Sequence, residues 1–269
     1  MIYQAGCHYS HAIPVASQWV KNDLIKNYKL SPEKIQVIPW APPTQHYKQV
    51  MSDELATVKK KYDLDSPYAF YPSITWEHKN HIRLVEALAM LRDKKGIKVP
   101  LVCSGGQTEY YGTIQNRIRE LGMQDQVKFI GYLPNEEFRA IYQLAQFVVI
   151  PTLFEAASAP IFEAWEEGIP VCCSTVTSLP EQVGDAAILF DPLSVRSIAE
   201  AIHKLATEEN LRVRYAAAGT RRLSNFNWDR TAKAYRALYR KVARVPLSEE
   251  DRKLLDWDWM QHPSPKGIS

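Results

Sequence analysis

Phe147-Val148-Val149-Ile150-Pro151-Thr152-Leu153-Phe154-Glu155-Ala156-Ala157-Ser158-Ala159-Pro160-Ile161-Phe162-Glu163 runs from an apolar segment through a turn into a helix start. The run up to Ile150 reads as a buried strand. A helix opens at or near Pro160, because proline is well tolerated in a first helical turn. Between them, Glu155 and Glu163 bracket a loop of small residues. In α/β proteins such a junction binds phosphorylated ligands, since free backbone N–H groups and the helix dipole converge there. Small side chains let a ligand approach the backbone. Carboxylates can accept hydrogen bonds from sugar hydroxyls.

Working outward, strand-like and helix-like segments alternate. Strands are expected at Tyr68–Ile74, Val99–Ser104, Val127–Gly131, Phe147–Ile150, Pro170–Ser174 and Ala186–Phe190. They are continuous apolar runs, which suits strands covered on both faces. Ile82, Val85, Leu88, Ala89 and Leu91 recur at helical spacing after Asn80. Ile114, Ile118 and Leu121 do the same before Gly122, a candidate C-cap. Further helices are expected after Pro134-Asn135 and after Asp191-Pro192. A βαβα series of this length predicts a doubly wound, Rossmann-like parallel sheet with right-handed connections.

The first forty residues do not fit that sheet. Ile13–Ala16 and Ile35–Ile38 read as short strands, and Ser17 is a good N-cap for a helix from Gln18 to about Tyr28. Pro39, Pro42 and Pro43 then break the chain. One strand–helix–strand unit is too small to fold alone and is expected to be the tail of a larger domain. The resulting division is 1–43, 44–227 and 228–269, the last holding a basic helix from about Trp228 to Arg244. Trp257, Trp259 and Met260 suggest that the end of the chain packs on something.

Composition narrows the function. The chain has 269 residues, with 33 basic and 30 acidic side chains and a net charge of +3. Nucleic acid is therefore not an expected partner. No apolar run is long enough for a transmembrane segment, and the N-terminus is not a secretory signal. Cys7, Cys103, Cys172 and Cys173 lack metal-site spacing. Three of them lie in strand-like runs, so a reducing, cytoplasmic setting is expected. Peripheral attachment to a membrane stays open. Asp63-Leu64-Asp65 and Asp256-Trp257-Asp258 match a D-x-D metal pattern, but neither follows a core strand. Both read as surface acids, and no metal is expected. Gly105-Gly106 is no full G-x-G-x-x-G and reads as a tight turn.

Lys79 lies where a helix begins, a place that disfavours cations. A compensating anion would explain it; a solvated surface lysine is the plain alternative. His78 reads as structural or solvent-exposed. Glu163 also has a purely structural explanation, since an acidic first turn is favourable without any ligand.

Taken in order, these segments resemble the C-terminal half of the retaining group 1 (family 4) glycosyltransferases, which have the two-domain GT-B fold. Val15-Ala16-Ser17 and Pro32-Glu33-Lys34-Ile35-Gln36-Val37-Ile38-Pro39 resemble the end of the family's acceptor domain. Lys79-Asn80, Phe129-Ile130-Gly131-Tyr132-Leu133 and Phe154–Glu163 resemble its donor-site motifs. Gly168-Ile169-Pro170-Val171, Ser178-Leu179-Pro180-Glu181 and Gly184-Asp185-Ala186-Ala187 follow in the family's order.

The resemblance implies transfer of a sugar from a nucleotide-diphosphate donor to an acceptor hydroxyl, in polysaccharide or glycoconjugate synthesis. It implies no cofactor and no metal. Glu155 and Lys79 become the candidate catalytic residues: Glu155 would bind sugar hydroxyls, and Lys79 would neutralise the leaving phosphate. Glu163 would bind the ribose. Backbone amides of Ala156, Ala157, Ser158 and Ala159 would face the sugar and diphosphate. Tyr132 and Leu133 would line the base pocket. Ser73 stands where the family usually has an arginine, and Thr75 could supply a neutral hydrogen bond. The family's loop glycines are Ala156, Ala157 and Ser158 here. An acceptor domain, and a glycan or lipid-linked acceptor, would lie outside this chain. The alternatives are a non-catalytic nucleotide-sugar-binding fragment, or one half of a two-chain enzyme.

Overall fold

A computed structural model describes residues 2–42 and 50–258. Its elements are α1 (Ile2–Tyr9), β1 (Ile13–Val15), α2 (Gln18–Tyr28), β2 (Ile35–Val37), α3 (Ser52–Lys61), β3 (Ala69–Pro72), α4 (His81–Lys95), β4 (Leu101–Ser104), α5 (Tyr111–Glu120) and β5 (Val127–Phe129). There follow α6 (Asn135–Leu144), β6 (Phe147–Ile150), α7 (Ala159–Glu166), β7 (Val171–Ser174), α8 (Leu179–Val183), β8 (Ile188–Phe190), α9 (Val195–Thr207), α10 (Glu209–Leu223), α11 (Trp228–Val242) and α12 (Glu249–Asp256).

Six strands form one parallel sheet in the order β5-β4-β3-β6-β7-β8. This is the doubly wound arrangement expected from the apolar runs. β3, β4, β6 and β7 are buried along their whole length, which explains why their sequences do not alternate. Strand order reverses between β3 and β6. In open α/β sheets the crevice at the carboxyl ends of such strands is the ligand-binding place. The loop after β3 carries Lys79, and the loop after β6 carries Glu155.

Local signals held where they were read. The Ser17 side chain accepts from the Val20 N–H and caps α2. Gly122, at φ +60°, donates to the Arg119 carbonyl at 3.1 Å, and Met123 donates to that of Ile118 at 2.9 Å. Those are the two bonds of a Schellman C-cap. Gly105 takes φ +121°, and a Cβ there would lie 2.7 Å from the Ser73 carbonyl carbon. Only glycine lets the loops after β3 and β4 approach so closely. At Gly219, a Cβ would meet the Trp165 ring at 2.1 Å. The Trp165 ring of α7 therefore seats directly on the Gly219 backbone of α10, which fixes the helix that carries Glu163.

β1 and β2 pair parallel as a separate small sheet. Ile38 joins Ala234, Ala237, Leu238, Leu254 and Leu255 in a cluster separate from the main core, and Trp257 packs against it. The expected packing of the chain's end thus holds for Trp257, whereas Trp259 and Met260 lie outside the described residues, as does Pro43. α12 was not read from the sequence. Its signal was present: Ser248 and Asp251 form a reciprocal capping box, and Asp251 pairs with Arg240 at 2.9 Å.

Candidate functional site

The loops that leave β3 and β6 are bonded to each other. The Leu153 N–H donates to the His78 carbonyl at 2.7 Å, and the Thr152 hydroxyl does so at 3.2 Å. Across this junction Lys79 Nζ meets Glu155 Oε2 at 2.6 Å, with side chains 19% and 20% exposed. Lys79 ends a short 3-10 turn, Asn80 adopts a left-handed conformation, and α4 starts only at His81. The anion compensating Lys79 is thus Glu155 itself. Neither side chain is a free surface charge. His78 is exposed, as expected.

A cleft of about 480 Å³ opens at the same carboxyl-terminal edge of the sheet, and neither Lys79 nor Glu155 is among its lining residues. Ser73, Gly105, Gly106, Tyr132, Leu133 and Glu163 are among the residues that line it. Four of the sequence-predicted residues therefore share one cavity. Glu163 is buried, and its carboxylate accepts from the Tyr142 hydroxyl at 2.7 Å. Tyr132 is 81% exposed at the mouth, while Leu133 is buried. The cleft joins a mostly apolar wall to one buried carboxylate, the pairing that suits a flat base attached to a hydroxyl-bearing sugar.

The loop at the start of the Phe154–Glu163 motif, the signature loop, is held from behind by the segment after β7. Thr177 and Ser178 bond the Glu155 and Ala156 backbone, with the Ser178 hydroxyl donating to the Ala156 carbonyl at 2.6 Å. Gln182 grips Ser158 twice: it accepts from the Ser158 N–H at 2.9 Å and donates to its carbonyl at 2.7 Å. Glu181, next to it, accepts the Gln18 N–H at 2.8 Å at the start of α2. The Phe154 ring meets Trp19 edge-on at 6.0 Å. The signature loop is thus tied both to the sheet and to the N-terminal unit.

Two expectations change. The Ser158 amide does not face a ligand, because Gln182 has taken it and Ser158 is buried. Thr75 is also buried: its hydroxyl oxygen accepts the Thr108 N–H at 2.8 Å, and its carbonyl accepts the Thr108 hydroxyl at 2.7 Å. It joins the loops after β3 and β4 instead of offering a bond to a donor. Ala156 and Ala157 border a small hollow shared with Ala16, Pro39 and Trp40. Ala159 is the first residue of α7, whose N-terminus the Ser158 side chain does not cap. Asp63 and Asp65 line a hollow with Pro100 and Gln126, at the opposite end of the strands.

Sequence reasoning gave no role to Tyr71, Thr177 or Gln182, and it named Asn80 and Ser178 only as members of motifs, without a contact for either. His81 was missed as well. It lies against Tyr71 and Phe129 at ring separations of 4.7 and 6.0 Å, with no protein hydrogen bond to either ring nitrogen. Burial, helped by the charge of Lys79, pushes its pKa down from 6.5 to about 3. The folded state thus keeps the ring neutral, while the unfolded chain takes up a proton below 6.5. Stability should fall as pH drops through that window, by up to about 1.4 kcal/mol per pH unit from this residue. Denaturant titrations between pH 4 and 7 check this: His81→Phe should flatten the slope relative to wild type. An unchanged slope would mean that His81 is not held neutral.

Residues 53–222 match the family model of the glycosyl transferases group 1, which covers more than half of the chain. The chain belongs to the group 1 glycosyl transferases. The O-antigen chain mannosyltransferase B of Escherichia coli is 26% identical over 230 residues, covering 84% of this chain and 60% of that protein. The MMP alpha-(1->4)-mannosyltransferase of Mycolicibacterium hassiacum is 28% identical, covering 83% and 53%. The chain thus spans just over half the length of these curated relatives. Among solved structures, sucrose-phosphate synthase from Thermosynechococcus elongatus superposes with a TM-score of 0.78 at 22% identity, over 91% of this chain and 61% of that one. Anabaena Alr3699/HepE, solved with UDP and glucose, gives 0.76 at 18% identity, over 88% and 64%. The chain therefore has the Rossmann-like α/β architecture found in GT-B glycosyltransferases, a six-stranded parallel sheet flanked by helices. Among the described residues, no helix is long and apolar enough to cross a membrane.

Proposed function

We propose that this glycosyltransferase chain binds a nucleotide-diphosphate sugar in the cleft at the β3–β6 switch point and supplies the donor half of a retaining transferase. One observation carries the proposal: the loops leaving the carboxyl ends of β3 and β6 bring Lys79 and Glu155 into contact, and the same edge of the sheet holds a cleft lined by Ser73, Glu163, Tyr132 and Leu133. The base lies along Tyr132 and Leu133, and the ribose hydroxyls donate to Glu163. The diphosphate then reaches Lys79 and the uncapped N-terminus of α7. Glu155 receives hydroxyls of the sugar.

In the reaction, the bond from the anomeric carbon to the β-phosphate oxygen breaks, and a bond to the acceptor oxygen forms on the same face. The electron pair leaves with the phosphate, and that phosphate takes the acceptor proton. The transition state is oxocarbenium-like, with negative charge growing on the leaving group. Lys79 and the α7 dipole stabilise that charge as it develops. The positive charge needed there comes from Lys79, without a metal or cofactor. Retention is supported by the resemblance of the signature loop. The acceptor is a glycan or lipid-linked hydroxyl, held by a part of the protein outside this chain, at the cytoplasmic side or the membrane surface.

Calorimetry with UDP-, GDP- and ADP-sugars tests donor binding. One of them should bind the chain in the micromolar range, roughly −8 kcal/mol. Binding by the chain alone, with turnover only when the N-terminal half is supplied, is the expected split. No heat with any of the three would overturn the proposal.

A further inference from the structure

Asn80 joins both exits of the switch point. Its backbone is left-handed, with φ 63° and ψ 31°, and its side chain is buried. The side-chain NH2 donates to the Pro151 and Pro192 carbonyls, each at 2.9 Å. The side-chain oxygen accepts from the Arg83 guanidinium at 3.1 Å. Pro151 starts the loop that carries Glu155, and Pro192 belongs to the turn between β8 and α9. Lys79 precedes Asn80, and the Tyr71 hydroxyl donates to the Lys79 carbonyl at 2.7 Å. The Lys79 main chain is thus fixed on one side by Tyr71 and on the other by Asn80.

We propose that Asn80 is the positioning residue that sets Lys79 against Glu155. The inference rests on the donor role of Lys79 proposed above. Two demands meet at this position. The backbone conformation favours glycine, asparagine or aspartate. The two carbonyl oxygens require a side chain with two N–H donors. Of those three residues, only asparagine meets both. Glycine would keep the turn and lose the bridge. Aspartate would keep the turn and place a carboxylate against two carbonyl oxygens. Without the bridge, the loop after β3 is no longer held to the start of the Glu155 loop through this side chain. Displacements near 1 Å in a charge-stabilising group are known to cost as much as about a hundredfold in rate.

The test is a double-mutant cycle in the protein with its acceptor half present. Wild type, Asn80→Gly, Lys79→Ala and the double variant are compared for kcat and KM with the nucleotide sugar, and for the affinity of the nucleoside diphosphate. Circular dichroism and the unfolding midpoint are followed in parallel. Asn80→Gly is expected to lower kcat roughly ten- to a hundredfold with a smaller change in KM. In the Lys79→Ala background the same change should cost almost nothing, because Asn80 acts through Lys79. A purely structural role would lower the unfolding midpoint and leave kcat of the folded enzyme unchanged. That result, or equal losses in both backgrounds, overturns the proposal. Should Asn80→Gly fail to fold, Asn80→Asp takes its place in the cycle with the same expected pattern. A Lys79→Ala variant equal to wild type would instead overturn the donor role of Lys79.

Discussion

Lys79→Ala should lower the transfer rate roughly 10²–10³-fold, the usual effect of removing one preorganised charge donor from a developing anion. Lys79 is not a mobile surface lysine. Its ammonium contacts Glu155 at 2.6 Å, its carbonyl is held by Tyr71, and Asn80 ties the next residue to the neighbouring loop. A group placed this firmly needs no reorganisation when charge builds on the leaving phosphate. Lys79→Met keeps most of the aliphatic stem and removes only the charge, so it should lose as much as alanine does. Exposed lysines such as Lys60 and Lys94 provide controls that change little. Steady-state rates with the preferred nucleotide sugar check the prediction. Equal turnover for Lys79→Met and wild type would remove Lys79 from the mechanism.

The second large effect is expected at Glu163. This carboxylate is buried in the cleft wall and already accepts from Tyr142. Hydrogen bonds to a charged group are worth about 1.5–3 kcal/mol, and tenfold in affinity is about 1.4 kcal/mol. Glu163→Gln keeps the shape and an acceptor for Tyr142 while removing the charge. Nucleoside diphosphate should then bind roughly ten- to a hundredfold more weakly. A dideoxyribose analogue should bind wild type and variant alike, because it lacks the hydroxyls that Glu163 receives. The unfolding midpoint should move little, since the side-chain volume is conserved. Calorimetry with the two nucleotides separates the cases. If the analogue loses affinity as strongly as the natural nucleotide, Glu163 serves the fold and not the ribose.

The sheet was legible because its strands are short, wholly apolar and separated by amphipathic segments. The strand read at Tyr68–Ile74 became Ala69–Pro72, and Phe147–Ile150 was found without change. The small unit before Pro39 was legible from the N-cap Ser17 and the two short apolar runs around it. α12 was missed although Ser248 and Asp251 announce it, because its acidic start resembles a polar tail.

Part of the site was legible too. Ser73, Tyr132, Leu133 and Glu163 do meet in one cleft. What could not be read were contacts between distant segments. Gln182 gripping Ser158, Asn80 reaching Pro192 and Thr75 closing on Thr108 are single polar residues in loops. They carry no period and no spacing, so only the folded chain shows their partners. The same applies to Lys79 and Glu155. The sequence showed two charges at two loop positions, while the topology brings them together.

A crystal structure of the chain with its preferred nucleoside diphosphate tests the central claim most directly. The β-phosphate should lie within hydrogen-bond distance of Lys79 Nζ and near the first turn of α7, with the ribose hydroxyls on Glu163 and the base along Leu133. A nucleotide bound elsewhere, such as in the hollow around Asp63 and Asp65 at the opposite end of the strands, would contradict the account.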